Sequence, residues 1–216
     1  MVPPMTVLDQ LASSLNRRDE VPNQELAQRI AAANNKGAVK ELVDNLHNKN
    51  KEIPGDCIKV LYEIGAVRPD LIAGYYKEFG ELLQSKTNRL VWGAMTALDS
   101  IALKEPKHVH ALLPRILAAA DAGSVITKDH AVGILAKLAT VKAYRDDCIS
   151  LLLEELMKSP HNQFPMYVET ALPVIGEQAR QRFQAIIMKR LPELERESAK
   201  KRVMKVLKKV ASKTVS

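Results

Sequence analysis

A repeat with a period of 37 residues runs through the middle of the chain. Apolar side chains recur at this offset in four successive copies without an insertion, most clearly at Leu61, Leu98, Leu135 and Leu172. Within each copy the apolar positions lie three or four residues apart, which is the spacing of one helical face. The repeat therefore predicts stacked helical units.

Each copy predicts two helices joined by a short polar turn. The first helices are expected near 37–48, 70–84, 107–120 and 144–158, and the second helices near 54–66, 88–103, 126–140 and 165–177. Two helices near 5–17 and 23–34 precede them, and a fifth pair is expected over 178–211. A single pair cannot bury its apolar face alone, whereas stacking buries it. We predict an all-α fold, an α–α superhelix of about five to six antiparallel helix pairs.

The repeat also predicts how the chain is organised. We treat 1–216 as one repeat domain, with capping helices in 1–36, four repeats in 37–184 and a basic capping region in 185–216. Small residues recur at the end of each second helix, where larger side chains would clash with the adjacent layer. These residues are Gly65, Ala102, Ala139 and Gly176. Pro173 predicts a bend or a late start in the fourth second helix.

Residues 111–139, ALLPRILAAADAGSVITKDHAVGILAKLA, resemble a HEAT repeat of the armadillo-like class. They combine a leucine-rich first helix containing Pro114, an acidic residue at the turn and a second helix that ends in Leu-Ala. NRLVWGAMTALDSIA and GDCIKVLYEIG fit the second half of the same pattern. The resemblance implies an α-solenoid whose second helices line an inner, concave surface. It also implies a non-catalytic scaffold or adaptor that binds a protein or peptide partner there.

Side chains off the apolar face of the second helices are the candidates for binding that partner. They are Lys59, Glu63, Trp92, Thr96, His130, Lys137, Tyr167 and Thr170. Their mixed charge suits a protein partner better than a nucleic acid, whose phosphate backbone favours a continuous row of Lys and Arg side chains. Trp92, the only tryptophan, is a candidate anchor. The alternatives are a filler between repeats opposite Tyr62 or Tyr75, and a surface that is merely solvated.

The positive charge is concentrated at the C-terminus. The chain has a net charge of +7, and residues 185–216 alone account for it. The candidate anion-binding residues are Lys200, Lys201, Arg202, Lys205, Lys208 and Lys209. One interpretation is a capping helix whose outer face must be polar. The alternative is attachment to RNA, DNA or anionic lipid.

Motifs for catalysis, metals and membranes are missing from the sequence. The histidines lack metal-ligand spacing, and no Gly-rich phosphate loop or GxSxG motif occurs. Cys57 and Cys148 form no CxxC motif. We therefore expect no enzyme activity, no metal and no cofactor. We also expect no membrane span, a cytoplasmic location and a monomer rather than an obligate oligomer.

One enzymatic alternative stays open. Some DNA alkylation-repair glycosylases are HEAT-like solenoids that use aromatic side chains and an Asp on a basic inner surface. Trp92 and Asp99 lie seven residues apart on one predicted helix, which gives a partial analogy. The mixed charge of the surface and an aromatic content of 4% argue against it.

Overall fold

The computed structural model describes residues 6–212, and every regular element in that range is a helix. The predicted all-α fold class is confirmed. The chain forms two compact units, one up to Ala131 and the other from Val132 onward. The subdivision predicted from the sequence, with caps in 1–36 and a basic region in 185–216, stays a prediction.

The first unit is built from the predicted helix pairs. Its α-helices are α1 (Val21–Ala32), α2 (Lys36–Asp44), α3 (Glu52–Val67), α4 (Pro69–Ile72), α5 (Tyr76–Leu82), α6 (Asn88–Ile101), α7 (Pro106–Ala111), α8 (Leu113–Ala122) and the first half of α9 (Val125–Leu138). Helix α3 is central, because α1, α2, α4 and α6 all pack against it. Its apolar face, with Ile58, Leu61 and Ile64, is fully buried.

Two first helices that the sequence predicts as continuous are divided. The stretch 70–84 forms α4 and α5 with a 3-10 turn at Ala73–Tyr75 between them. The stretch 107–120 forms α7 and α8, which meet at Leu112. Pro114 explains the second break, since proline is tolerated in the first turn of a helix but not in its interior.

The predicted helix over 5–17 is wrong within the described residues, and residue 5 lies outside them. Only Leu8–Gln10 is helical there, as a 3-10 turn. The amides that follow are bound by side chains from elsewhere: Asn23 Oδ1 accepts from Ala12 N at 3.0 Å, and Asp56 Oδ2 accepts from Ser13 N at 2.8 Å. Amides held in this way cannot donate within a helix of their own.

The second unit continues the pattern with less regular ends. Its α-helices are the second half of α9, α10 (Arg145–Lys158), α11 (Phe164–Ala171), α12 (Glu177–Arg190) and α13 (Glu197–Ser212). Helix α11 stops at Ala171, because Pro173 follows in a 3-10 turn that ends the helix early. The expected fifth pair is present as α12 and α13.

The small-residue positions at the ends of second helices differ in their surroundings. A Cβ on Gly65 would lie 2.5 Å from Ser100 Oγ and 2.6 Å from Ile72 Cδ1, which fits the predicted close approach. The prediction is wrong for Gly176, since a Cβ there would meet nothing within 4 Å. The early end of α11 accounts for the difference, because it leaves Gly176 in extended backbone before α12.

Arg190 is a buried cation that joins two elements of the second unit. Its Nη1 donates to the carbonyl oxygens of Leu156, Met157 and Ser159 at 2.8–3.1 Å, while Nε donates to Glu193 Oε2 at 2.9 Å. The guanidinium also lies 4.9 Å from the centre of the Phe164 ring. It therefore satisfies the C-terminal carbonyls of α10, where a positive charge is favoured by the helix dipole.

We predict that Arg190→Met lowers the free energy of unfolding by about 3 kcal/mol or more, because three carbonyl oxygens lose their donor. Arg190→Lys should recover only part of the loss, since an ammonium lacks the planar fork. Urea unfolding followed by circular dichroism measures both. The matched control is Lys189→Met at the exposed neighbouring position, which should change stability by about 0.5 kcal/mol or less.

The packing of α6 on α3 generates a second prediction. A Cβ on Gly93 would lie 2.4 Å from Cγ1 and 2.9 Å from Cγ2 of Ile58, which is itself fully buried. Gly93→Ala should therefore destabilise the protein by about 1–3 kcal/mol. Gly74→Ala is the control, because that Cβ meets nothing within 4 Å. Equal unfolding midpoints for the two variants would contradict the close contact.

Candidate functional site

The second helices of the first unit carry five of the residues that the sequence predicts for partner binding. Lys59 is buried, whereas the others are half-buried: Glu63 on α3, Trp92 and Thr96 on α6, and His130 on α9. Lys59 and Thr96 occupy the same position of two successive repeats. We call these five residues, together with the ion-paired or hydrogen-bonded Glu20, Asp56, Arg89 and Asp99, the α3–α6 surface.

A hydrogen-bonded chain of three side chains links α6 to α9. Thr96 Oγ1 and His130 Nε2 are 2.9 Å apart, and His130 Nδ1 lies 3.0 Å from Asp99 Oδ2. Thr96 Oγ1 also lies 2.9 Å from the carbonyl oxygen of Trp92, one turn earlier on the same helix. The imidazole ring is thus held from both sides, and Thr96 connects it to the backbone of Trp92.

This chain permits two proton arrangements. A neutral His130 donates from Nδ1 to Asp99 and accepts the hydroxyl proton of Thr96 at Nε2. An imidazolium donates from both nitrogens, and the Thr96 hydroxyl then donates to the Trp92 carbonyl oxygen. Acyl transfer by Thr96 would need free backbone amides that bind the oxyanion of the intermediate. Thr96 lies inside α6, where each backbone amide already donates to the carbonyl one turn earlier. The arrangement therefore suits ordered recognition better than acyl transfer.

Ionic groups connect the N-terminal segment, α3 and α6. Lys59 Nζ lies 2.8 Å from Glu20 Oε2 and 2.7 Å from Glu63 Oε1. Arg89 Nη2 lies 2.9 Å from Asp56 Oδ1 and 3.3 Å from Glu20 Oε1. Three carboxylates thus share two cations, which leaves the network with one negative charge.

Gly55 gives Arg89 the space to join this network. A Cβ on Gly55 would lie 3.1 Å from both Cδ and Nε of Arg89. The same repeat position is occupied by Trp92 in the next copy. Arg89 of α6 therefore crosses α3 at Gly55, where α3 has no side chain.

Burial and ion pairing act on Lys59 in opposite directions. Burial alone lowers the pKa of this ammonium, but the hydrogen bonds that it donates to Glu20 and Glu63, with Tyr62 beside them, raise the pKa above the ordinary value of 10.5. The ammonium also lies 4.8 Å from the centre of the Tyr62 ring. Lys59 is therefore charged at neutral pH. Its contribution to stability is complete below pH 10.5 and is lost as the pH rises through the raised value.

A polar cleft of about 1020 Å³ opens next to the ionic network. The segment 12–20, residues 46–56 around the start of α3 and residues 87–90 at the start of α6 contribute its walls. Glu20, Asp56 and Arg89 belong to both the cleft and the network. A partner side chain that enters the cleft would therefore meet groups that are already fixed by ion pairs.

The other three predicted partner-binding residues lie in the second unit. Lys137 and Thr170 are half-buried. Tyr167 is only 1% exposed and packs in the core of α11. The structure therefore contradicts the prediction that Tyr167 offers an accessible surface. The reason is that α11 is short and buries Phe164, Tyr167, Val168 and Ala171 along one face.

Helix α13 carries the six predicted anion-binding residues. Lys200 pairs with Glu197 at 2.9 Å, and Arg202 Nε donates to Glu169 Oε1 at 2.9 Å. Lys201, Lys205, Lys208 and Lys209 are exposed. The apolar stripe of the helix, at Val203, Val206 and Val210, is buried.

Both cysteines are free and fully buried. Burial, with Asp56 nearby, raises the pKa of Cys57 to about 12, and burial raises that of Cys148 to about 11. Both are thiols rather than thiolates at neutral pH, so neither is an activated nucleophile. Within residues 6–212, no helix is long and apolar enough to cross a membrane, and no three metal-ligating side chains of His, Cys, Asp or Glu come together.

The helix arrangement matches solved repeat structures along most of the chain. A designed armadillo repeat protein in complex with the peptide (KR)4 superimposes with a TM-score of 0.65 at 18% identity, over 93% of this chain and 98% of that one. The fold is an armadillo/HEAT-like α-solenoid. A computationally designed armadillo repeat protein for modular peptide recognition also matches this α-solenoid, with a TM-score of 0.65 at 17% identity over 94% of this chain and 97% of that one.

An engineered protein matches the α-solenoid as well, with a TM-score of 0.63 at 21% identity over 96% of this chain and all of the other. No protein-family description and no curated protein matches the sequence. The resemblance to HEAT repeats is therefore confirmed at the level of the fold.

Several site residues were not predicted from the sequence. Glu20 and Arg89 bind Lys59 and Asp56 from segments outside the repeat positions that define the ladders. The sequence makes Asp99 a candidate only for base excision, whereas the structure places its carboxylate against His130. The repeat offset does not reveal this pair, because Asp99 and His130 lie 31 residues apart, which is nearly two helical turns short of the 37-residue period.

The ionic network generates a prediction on stability. Glu20→Gln with Glu63→Gln should cost about 2–3 kcal/mol, because the Lys59 side chain is only 10% exposed and loses both counter-charges. Lys59→Met should cost about 1 kcal/mol or less, since both carboxylates face solvent and the apolar stem is replaced. Urea unfolding at pH 7 measures the free energy of unfolding of the double variant and of Lys59→Met. A larger loss for Lys59→Met would contradict the assigned roles.

Proposed function

We propose that this α-solenoid is a non-catalytic scaffold that binds a peptide segment of a protein partner on the α3–α6 surface. The observation that carries the proposal is the ordered array that begins one helical turn from Trp92, in which hydrogen bonds join Thr96 to His130 and His130 to Asp99 across two helices. A half-buried tryptophan beside fixed polar groups combines an anchor with specific hydrogen bonding. Groups that are already ordered bind a partner with little further loss of entropy.

The charge of the surface favours a partner with a basic side chain. Glu20, Asp56 and Glu63 outnumber Lys59 and Arg89, and Asp99 adds a carboxylate next to His130. A Lys or Arg of the partner is attracted to this excess, and its cation can stack on the Trp92 ring. A designed armadillo protein of the same fold is bound to the peptide (KR)4, which supports testing this class of ligand first.

The two free, buried cysteines also support a reducing compartment, so we propose the cytoplasm. The chain then acts as an adaptor: it holds its partner and performs no chemistry on it. Base excision by Asp99 is not proposed, because that carboxylate is bound by the His130 ring in the structure.

Binding of (KR)4 to Trp92 can be followed directly, because Trp92 is the only tryptophan. We predict that titration with (KR)4 changes the tryptophan emission, whereas the acidic peptide (ED)4 does not. Trp92→Ala should weaken binding of fluorescein-labelled (KR)4 at least tenfold, which corresponds to the loss of about 1.4 kcal/mol or more. Fluorescence anisotropy at constant salt measures this change.

The matched control is Val67→Ala, which truncates a side chain that is 63% exposed at the end of α3. It should bind (KR)4 as the wild type does. Circular dichroism melts of both variants separate lost binding from lost folding. Equal affinity of Trp92→Ala and wild type, together with equal recovery of every partner in a pull-down from source cells, would refute the proposed surface.

A further inference from the structure

The positive charge of the chain belongs entirely to the second unit. Residues up to Ala131 contain 16 basic and 16 acidic side chains, whereas residues from Val132 onward contain 16 basic and nine acidic ones. Arg190 is buried and engaged with carbonyl oxygens, so it does not contribute to a surface. Helix α13 carries six of these basic residues and only one acidic residue, Glu197.

Three lysines on α13 form a row on one exposed face. Lys201, Lys205 and Lys208 are spaced by four and three residues, which places them on the same side of the helix. The side chains of Lys201 and Lys208 form no ion pair or hydrogen bond among residues 6–212. Lys205 lies near Glu169, but Arg202 engages both oxygens of that carboxylate. The row therefore presents cations that the fold itself does not neutralise.

The other face of α13 is not available to a partner. Val203, Val206 and Val210 are buried, and the helix packs against α11 and α12. Among the described large apolar side chains of this helix, Met204 is 45% exposed and Leu207 is half-buried. An anchor that inserts into a lipid surface needs a free apolar face. A peptide partner also gains most of its affinity from buried apolar contacts. Neither source of affinity is offered here.

We propose that the row Lys201, Lys205 and Lys208 binds the phosphate backbone of a nucleic acid without reading its sequence. Seven residues of α-helix rise by about 10 Å, and over that length of duplex axis one strand carries about three phosphates, at one per 3.4 Å. Three ammonium groups over three phosphates bind by charge and release of counterions. This function goes beyond the proposed peptide scaffold and uses the second unit alone.

The test is a fluorescence anisotropy titration of the full chain with labelled 20-mers of mixed sequence, one duplex DNA and one single-stranded RNA. We expect binding at 50 mM salt, with the logarithm of the association constant falling steeply with the logarithm of the salt concentration. The triple variant Lys201→Gln, Lys205→Gln, Lys208→Gln should bind at least tenfold more weakly and reduce the salt slope by about 2–3. The two probes show whether duplex or single strand is preferred.

The matched control removes three lysine charges from the first unit, whose net charge is zero. Lys36, Lys49 and Lys86 are exposed and form no ion pair among the described residues, and changing all three to Gln should leave binding unchanged. Circular dichroism verifies that both triple variants fold. Absence of binding at 50 mM salt, equal binding by wild type and the α13 variant, or equal loss in the control would overturn the proposal. Equally tight, lysine-dependent binding of polyglutamate or anionic vesicles would overturn it in favour of those partners.

The two proposals fail independently. The α13 triple variant should still bind (KR)4, and Trp92→Ala should still bind nucleic acid. A variant that loses both ligands with an intact circular dichroism spectrum would show that the two surfaces are not separate, and would overturn the assignment to α13.

Discussion

The close contact between α3 and α6 is the constraint on which the first unit depends. Gly93 lies against Ile58, and Gly65 lies against Ser100 and Ile72, at distances that leave no room for a Cβ. The apolar faces of both helices can then be fully buried against each other. Because the helices approach so closely, the polar side chains at their edges also come within hydrogen-bond distance of the next layer. The α3–α6 surface is thus a consequence of the packing beneath it.

Much of the helical framework can be predicted from the sequence, because burial of one helical face imposes a period that survives many substitutions. Helices α3, α6, α9 and α10 lie close to their predicted ranges. The failures occur where a local interaction outweighs periodicity. Pro114 and Pro173 interrupt helices, and side-chain acceptors from Asn23 and Asp56 hold residues 12–13 in a turn.

The site is less predictable than the fold, since it depends on pairs of residues from different repeats. The 37-residue offset identifies equivalent positions, whereas His130 contacts Asp99 at an offset of 31 and Arg89 contacts Asp56 at an offset of 33. Arg190 illustrates the same difficulty. Its charge places it with the basic tail in the sequence, but its position at the end of α12, which packs against α10, directs it to carbonyl oxygens in the interior.

The crossing of Arg89 over Gly55 has a consequence for how such a chain can change. The Arg89 side chain on α6 fills the space that Gly55 leaves on α3, so the two repeats are complementary rather than equivalent. Exchanging the two repeats would place Trp92 at the position of Gly55, where Arg89 must pass. Inserting a copy of either repeat between them would produce the same clash, or would leave a gap at a glycine that has no arginine opposite it. The units of this solenoid share a length but not an interchangeable shape. Growth by duplication would therefore require matching substitutions on both sides of each new boundary.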